Sequence, residues 1–122
     1  MILLIFLAAV TQAPSTPSIY PADKDCQDYG YGSPVAMAEC FTAQSDVWDR
    51  RLNEEYHAAL RRAEIEPRQL RASQRLWLQY RDVNCAAYST VKGSIAKILA
   101  GRCSRDLTRD RTLDLHEMVR TG

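Results

Sequence analysis

The residues of this chain with the most versatile chemistry are four cysteines: Cys26, Cys40, Cys85 and Cys103. Cysteine thiols can bind zinc, exchange electrons or form structural disulfides. Zinc sites and redox motifs commonly contain a Cys-x-x-Cys pair, and this sequence has none. An even number of widely spaced cysteines predicts two structural disulfides, which persist in oxidising compartments such as the periplasm or the extracellular space.

Other catalytic patterns are missing from the sequence. His57 and His116 are the two histidines, and His116-Glu117 lacks the second histidine of a zinc-protease motif because residue 120 is Arg. The sequence contains neither a Gly-x-Ser-x-Gly elbow nor a glycine-rich phosphate loop. The adjacent acids Glu54 and Glu55 point to different faces of a helix and are expected to be solvated. We therefore predict a protein that is not an enzyme and that needs no metal or cofactor.

The charge is balanced overall but unevenly distributed. The net charge of +1 argues against a nucleic-acid-binding protein that neutralises phosphates. Residues 14–58 contain three basic and eight acidic side chains, a net charge of −5, whereas residues 59–122 contain thirteen and seven, a net charge of +6. The acidic part could face a basic partner, or the asymmetry could simply let neighbouring helices attract each other.

The N-terminus resembles an export signal. Residues 2–10 form an apolar run of nine residues, too short for the ~20 helical residues that span a membrane. Such a run is typical of a secretory signal, although a buried N-terminal strand or helix is an alternative. We predict a signal peptide at 1–13, a flexible leader at 14–25, a helical domain at 26–120, no transmembrane segment in the mature chain, and a periplasmic or secreted location.

The elements that must position these residues are helices. Proline and glycine are sparse after Ser33, and Ser33-Pro34 has the residues of an N-cap and first helical position. We predict helices from Pro34 to about Glu64, from Pro67 to about Val91, and from Gly93-Ser94 onward, with Gly101 bending or interrupting the last. The fold class is therefore all-α, a small antiparallel bundle of three main helices in which consecutive helices are neighbours.

The helical spacing of apolar residues predicts which faces are buried. The inward residues expected on the first helix include Met37, Cys40, Phe41, Val47, Trp48, Leu52, Tyr56, Ala59 and Leu60. Those on the second are Leu70, Trp77, Cys85 and Tyr88, with Leu76, Tyr80, Val83 and Ala87 widening the face. Those on the third are Ile95, Ile98, Leu99, Cys103, Leu107, Leu115 and Met118.

This arrangement favours one disulfide pairing. A hairpin that turns near residue 93 places Cys85 almost opposite Cys103, and Cys26 can fold back onto Cys40. We therefore predict Cys26–Cys40 and Cys85–Cys103, although Cys40–Cys85 is also sterically possible. By the chain-entropy estimate, each predicted disulfide raises the free energy of unfolding by ~3 kcal/mol. This is a large share of the ~5–15 kcal/mol of a typical domain.

Several short motifs occur in a characteristic order. They are Met37-x-x-Cys40, Asp49-x-x-Leu52-Asn53-x-x-Tyr56, Gln74-x-x-Trp77-x-x-x-Arg81-Asp82-x-x-Cys85, and, after Cys103, Leu107-Thr108-x-x-Arg111-x-x-x-Leu115. In this order the chain, from Cys26 to Leu115, resembles the LprI-type lysozyme-inhibitor domain, a family of small secreted bacterial helical proteins. The resemblance implies an exported helical bundle, and lysozyme inhibition is a property of only part of that family.

The motif residues also suggest a physical role. Asp49, Asn53 and Tyr56 share one helical face, and a hairpin turning near residue 65 brings Asp49 level with Arg81. We expect a structural polar network between the helices, with a charge-assisted Asp49–Arg81 bond. Its predicted members are Asp49, Asn53, Tyr56, Trp77, Arg81 and Asp82. The alternative is that these residues form a partly exposed functional site.

These observations lead to one functional expectation and two rivals. The family resemblance implies a non-enzymatic binding protein that occludes the glycan cleft of a lysozyme. Animal-type lysozymes are basic, so the candidate contact surface is acidic and comprises Asp23, Asp25, Asp28, Asp46, Glu54 and Glu55. The first rival is an envelope structural or assembly factor that binds another exported protein or a peptidoglycan fragment. The second is a small glycan-active enzyme, which no motif supports.

Overall fold

The computed structural model describes Cys26 and residues 33–121, so the predicted signal peptide and leader lie outside the described residues. The chain forms three helices, α1 (Pro34–Leu60), α2 (Pro67–Tyr88) and α3 (Ile95–Arg120), and this part of it contains no strand. Disulfides join Cys26 to Cys40 and Cys85 to Cys103, with Cα–Cα distances of 5.6 and 5.5 Å. The all-α fold and the favoured disulfide pairing are thus confirmed.

The first two helices begin where the sequence predicts and end about one turn early, whereas Ser94 at the start of α3 makes no side-chain capping bond. The Ser33 hydroxyl accepts a hydrogen bond from the Ala36 amide at 3.3 Å, with Pro34 in the first turn. The first two helices end at Leu60 and Tyr88 rather than near Glu64 and Val91. At the C-terminal end of each of these two helices, backbone amides bond to carbonyls three residues back, which tightens the last turn and ends the helix.

Both α1 and α2 pack mainly on α3. Contacts of Ser45 with Ser104 and of Glu55 with His116 show that α1 runs parallel to α3. The antiparallel α2 is joined to α3 by the Cys85–Cys103 bond. The backbones of α1 and α2 lie farther apart, and the Asp49–Arg81 ion pair links these two antiparallel neighbours. Within residues 33–121, none of the helices combines the length and the hydropathy that a membrane-spanning segment needs.

Gly101 explains why α1 lies close to α3. The third helix is continuous through this residue, so the predicted bend or interruption does not occur. A Cβ atom at position 101 would lie 3.1 Å from the Phe41 Cβ and 3.6 Å from the Ala38 carbonyl oxygen. The glycine therefore allows α1 and α3 to approach each other closely at this point.

The apolar core lies between all three helices toward the end of α1. Leu52, Ala59, Leu70 and Leu115 form a buried cluster, and Trp77 is among the partly buried side chains that pack against it. Ile95 was predicted to face inward at the start of α3, and this prediction is wrong because the residue is 50% exposed. Ile95 is the first residue of α3, and the residue that follows it, Ala96, is buried instead.

The second helix turns part of its apolar surface outward. Leu76, Tyr80 and Val83 are 66%, 55% and 73% exposed, and Ala87 is exposed as well. These residues were expected to widen the buried face, and that expectation is wrong. Tyr88, also predicted to face inward, is exposed. The disulfide at Cys85 turns the Gln74 and Cys85 side of α2 toward α3, which leaves the 76-80-83-87 stripe on the opposite side.

We predict that Gly101→Val lowers the free energy of unfolding by about 1–3 kcal/mol, because a branched side chain would collide with Phe41 and push α1 away from α3. Urea denaturation measures this change. The matched control is Ala86→Val at an exposed position of α2, where only a helix-propensity cost below about 0.7 kcal/mol is expected. Equal losses in the two variants would contradict the close-approach explanation.

Candidate functional site

A polar groove of about 470 Å³ separates α1 from α2. It exists because both helices pack on α3 and leave an open space on the side where they face each other. Most of its lining residues belong to the motifs on which the family resemblance rests. The lining residues are Asp49, Leu52, Asn53, Tyr56, Arg71, Gln74, Arg75, Leu78 and Arg81.

Arg81 connects the three helices at one end of this groove. One of its terminal nitrogens, Nη1, lies 3.5 Å from Asp49 Oδ1 on α1 and 3.5 Å from the hydroxyl of the buried Thr108 on α3. Its Nε donates to Asp82 Oδ1 at 3.1 Å, and its guanidinium carbon lies 5.2 Å from the centre of the Trp77 ring. A planar, permanently charged group can make all of these contacts at once.

The structure thus brings the predicted polar residues into one region. Asp49 and Arg81 form an ion pair, Asp82 contacts Arg81 from the same helix, and Trp77 packs beside its guanidinium. Asn53 and Tyr56 line the α1 wall of the groove, with Asn53 exposed. We propose that the Arg81 contacts hold the helices in register and that the exposed polar groups are available to a ligand.

Arg111 holds the α2 wall against α3. Its Nε donates to Gln74 Oε1 and its Nη2 to the Ser73 hydroxyl, both at 3.0 Å, while its Nη1 donates to Asp114 at 3.1 Å. Gln74 is buried and also lines the groove. Both residues occur in the family motifs, but nothing in their spacing shows that they would bond to each other.

Arg71 and Arg75 are groove residues that sequence reasoning missed. They lie one helical turn apart on α2, and both are exposed. Their four-residue spacing, continued three residues later by Leu78, places all three side chains on one face of the helix. That pattern was visible in the sequence, but only the splaying of α1 and α2 shows that this face lines a groove.

The proposed acidic contact surface is only partly described. Asp23, Asp25 and Asp28 lie outside the described residues. Asp46 is exposed and lines a second groove of about 600 Å³, and Glu54 is exposed beside Arg51 at 3.3 Å.

Glu55 does not belong to a free acidic surface. It is only 8% exposed, and its carboxylate contacts Arg51 at 3.5 Å and His116 at 3.1 Å. The expectation for this residue is corrected because position 55 shares the α1 face of Leu52 and Ala59, which is turned into the bundle.

The groove carries groups that can bind a ligand by charge and hydrogen bonding. Within the described part of the chain, no group of three or more His, Cys, Asp or Glu side chains could hold a metal ion. Asp49 supplies a carboxylate to the groove, and this carboxylate is engaged by Arg81. Guanidinium, amide and phenol groups dominate the remaining polar lining, and these groups recognise ligands by charge and hydrogen bonding.

We predict that Asp49 and Arg81 are energetically coupled by up to about 1 kcal/mol, the upper range for a partly exposed ion pair. A double-mutant cycle with Asp49→Asn and Arg81→Gln measures the coupling by urea denaturation. The control cycle pairs Arg81→Gln with Glu117→Gln, since Glu117 is exposed near the end of α3. Additive effects in the Asp49 cycle, like those expected in the control, would contradict the coupling.

Comparison with known proteins identifies the family of this chain. Residues 26–115 match the family model described as "Lysozyme inhibitor LprI". An uncharacterised protein of Rhizobium meliloti (strain 1021) is 37% identical over 55 residues, which cover 43% of this chain and 40% of the relative's length. No solved structure matches the chain. Because the family model covers most of the sequence, including all four cysteines, the protein belongs to the LprI lysozyme-inhibitor family.

Proposed function

We propose that this protein is an exported, non-enzymatic binding protein that inhibits a lysozyme by occluding its glycan-binding cleft. The observation that carries this proposal is the family match over residues 26–115. The two disulfides support an oxidising location, the periplasm or the extracellular space, because such bonds persist there. The proposed partner is therefore a lysozyme that acts on the cell wall in the same compartment.

The fold suits inhibition by steric occlusion. Two disulfides and the cross-helix contacts of Arg81 and Arg111 restrain the helices before any partner binds. A surface that is already ordered loses little conformational entropy on association, so more of the contact energy is retained as affinity.

Exposed acids on α1 offer an electrostatic complement to a basic lysozyme. Asp46 and Glu54 remain the described members of the proposed contact surface. Their main effect would be to accelerate association and to orient the two proteins, and this effect would weaken as salt is added.

We predict that the purified protein at micromolar excess slows the lysis of cell walls by a basic animal-type lysozyme, measured as the loss of turbidity. The control is lysis of the same walls by an endopeptidase that cuts the peptide cross-links. Occlusion of a glycan cleft leaves endopeptidase lysis unchanged, whereas coating of the wall would slow both enzymes. Unchanged lysozyme lysis would contradict the inhibitor proposal for that enzyme.

The rate at which inhibition develops in the same turbidity assay tests where lysozyme contacts the protein. Asp46→Asn combined with Glu54→Gln should slow association with lysozyme several-fold at low salt and have less effect at high salt. The matched control removes two exposed acids from α3, Asp110→Asn with Glu117→Gln. Equal slowing by the control pair would assign the effect to net charge rather than to the α1 surface.

A further inference from the structure

We propose that the groove between α1 and α2 is a binding site for a small ligand that carries two carboxylates, such as a glutamate-containing peptide or an acidic disaccharide. This inference goes beyond lysozyme inhibition, since it concerns a small molecule and a different surface from the acidic residues of α1. The recognition chemistry is a pair of guanidinium groups on one wall and neutral hydrogen-bonding groups on the other.

The first observation is an excess of positive charge. Three arginines, Arg71, Arg75 and Arg81, line the groove together with a single carboxylate, that of Asp49. Asp49 and Asp82 both contact Arg81. Within residues 33–121, by contrast, neither Arg71 nor Arg75 makes a hydrogen bond or ion pair. The groove therefore presents two uncompensated cations.

The second observation is the spacing of those cations. Arg71 and Arg75 are four residues apart on α2, so their Cβ atoms are separated by roughly 5–6 Å. Like charges at this spacing are unfavourable in the free protein, and a bound dianion would remove the repulsion. Each guanidinium can engage one carboxylate through two parallel hydrogen bonds, which explains a preference for two carboxylates over one.

The opposite wall supplies groups that would orient the ligand. Because α1 and α2 run in opposite directions, Tyr56 lies farther than Asp49 from the Arg81 end of the groove and closer to Arg71 and Arg75. Its phenol and the exposed Asn53 amide can bond to a peptide or to sugar hydroxyls. The volume of about 470 Å³ lies within the usual range of small-molecule sites.

Titration of the isotope-labelled mature protein, followed by NMR at physiological salt, tests the proposal. The probes are N-acetyl-Ala-Glu and digalacturonic acid, each with two carboxylates, and N-acetyl-Ala-Gln-amide, which has none. We expect saturable shifts of the Arg71 and Arg75 Nε–H signals and of the Asn53 side-chain amide with at least one diacid. The diacid that binds with the higher affinity shows whether the ligand is a peptide or a sugar. No saturable shift by roughly 10 mM, where a site with a Kd of about 1 mM is mostly filled, would overturn the proposal.

Matched variants separate the groove from general surface charge. Arg71→Gln and Arg75→Gln should each weaken diacid binding about tenfold, the effect of losing about 1.4 kcal/mol of binding energy. Arg68→Gln, on the same helix but outside the groove lining, should leave binding within about twofold. Equal weakening by Arg68→Gln, or equal binding of the neutral peptide, would overturn the proposal.

Stability measurements show whether lost binding reflects unfolding. Because Arg71 and Arg75 repel each other without ligand, either glutamine variant should match or exceed the unmodified protein in its urea midpoint. The lysozyme assay is independent, because its expected contacts lie on Asp46 and Glu54. Loss of diacid binding with unchanged inhibition would therefore be attributed to the groove alone.

Discussion

The disulfide between Cys85 and Cys103 determines which face of α2 is turned toward α3. A helix can rotate about its own axis, but a covalent bond at one position removes that freedom near the bond. With Cys85 fixed, Gln74 lies on the α3 side, where Arg111 binds it, and Arg81 reaches Thr108. The apolar residues Leu76, Tyr80 and Val83 are left outside. Cys85 and this apolar stripe lie on opposite sides of α2, so the helix cannot turn both toward α3.

The groove follows from this constraint and from Gly101. The glycine lets α1 approach α3 closely, and the disulfide holds α2 on another side of the same helix. Because both helices pack mainly on α3, the backbones of α1 and α2 stay farther apart from each other. Arg81 bridges them at one end, and the space beyond it is lined by polar side chains. A groove open to solvent therefore lies directly beside the apolar core, and Leu52 and Tyr56 belong to both.

Much of the fold could be predicted from the sequence because its signals are local. Ser33-Pro34 and Pro67 mark the starts of α1 and α2, and the turn at Gly93, with φ at +92°, allows the hairpin that brings Cys85 to Cys103. The turn between α1 and α2 near residue 65 also predicts that Asp49 on α1 lies opposite Arg81 on α2. These inferences need only helical geometry and the length of the connections.

The remaining features depend on tertiary packing. Periodicity defines the faces of α2 but does not say which face a disulfide will turn inward, so Leu76 and Val83 were assigned to the wrong side. Glu55 shares the face of Leu52, but the sequence does not show that its carboxylate contacts Arg51 and His116 inside the bundle. The cations Arg71 and Arg75 belong to a groove only because α1 is displaced toward α3. None of these outcomes is encoded in a short sequence window.

Mapping of the disulfides in the oxidised protein by mass spectrometry of a non-reduced digest tests this account most directly. We expect one linked peptide pair that contains Cys85 and Cys103 and another that contains Cys26 and Cys40. A Cys40–Cys85 link would contradict it, because that bond would tie α2 to α1 and place the helices together where the groove now lies.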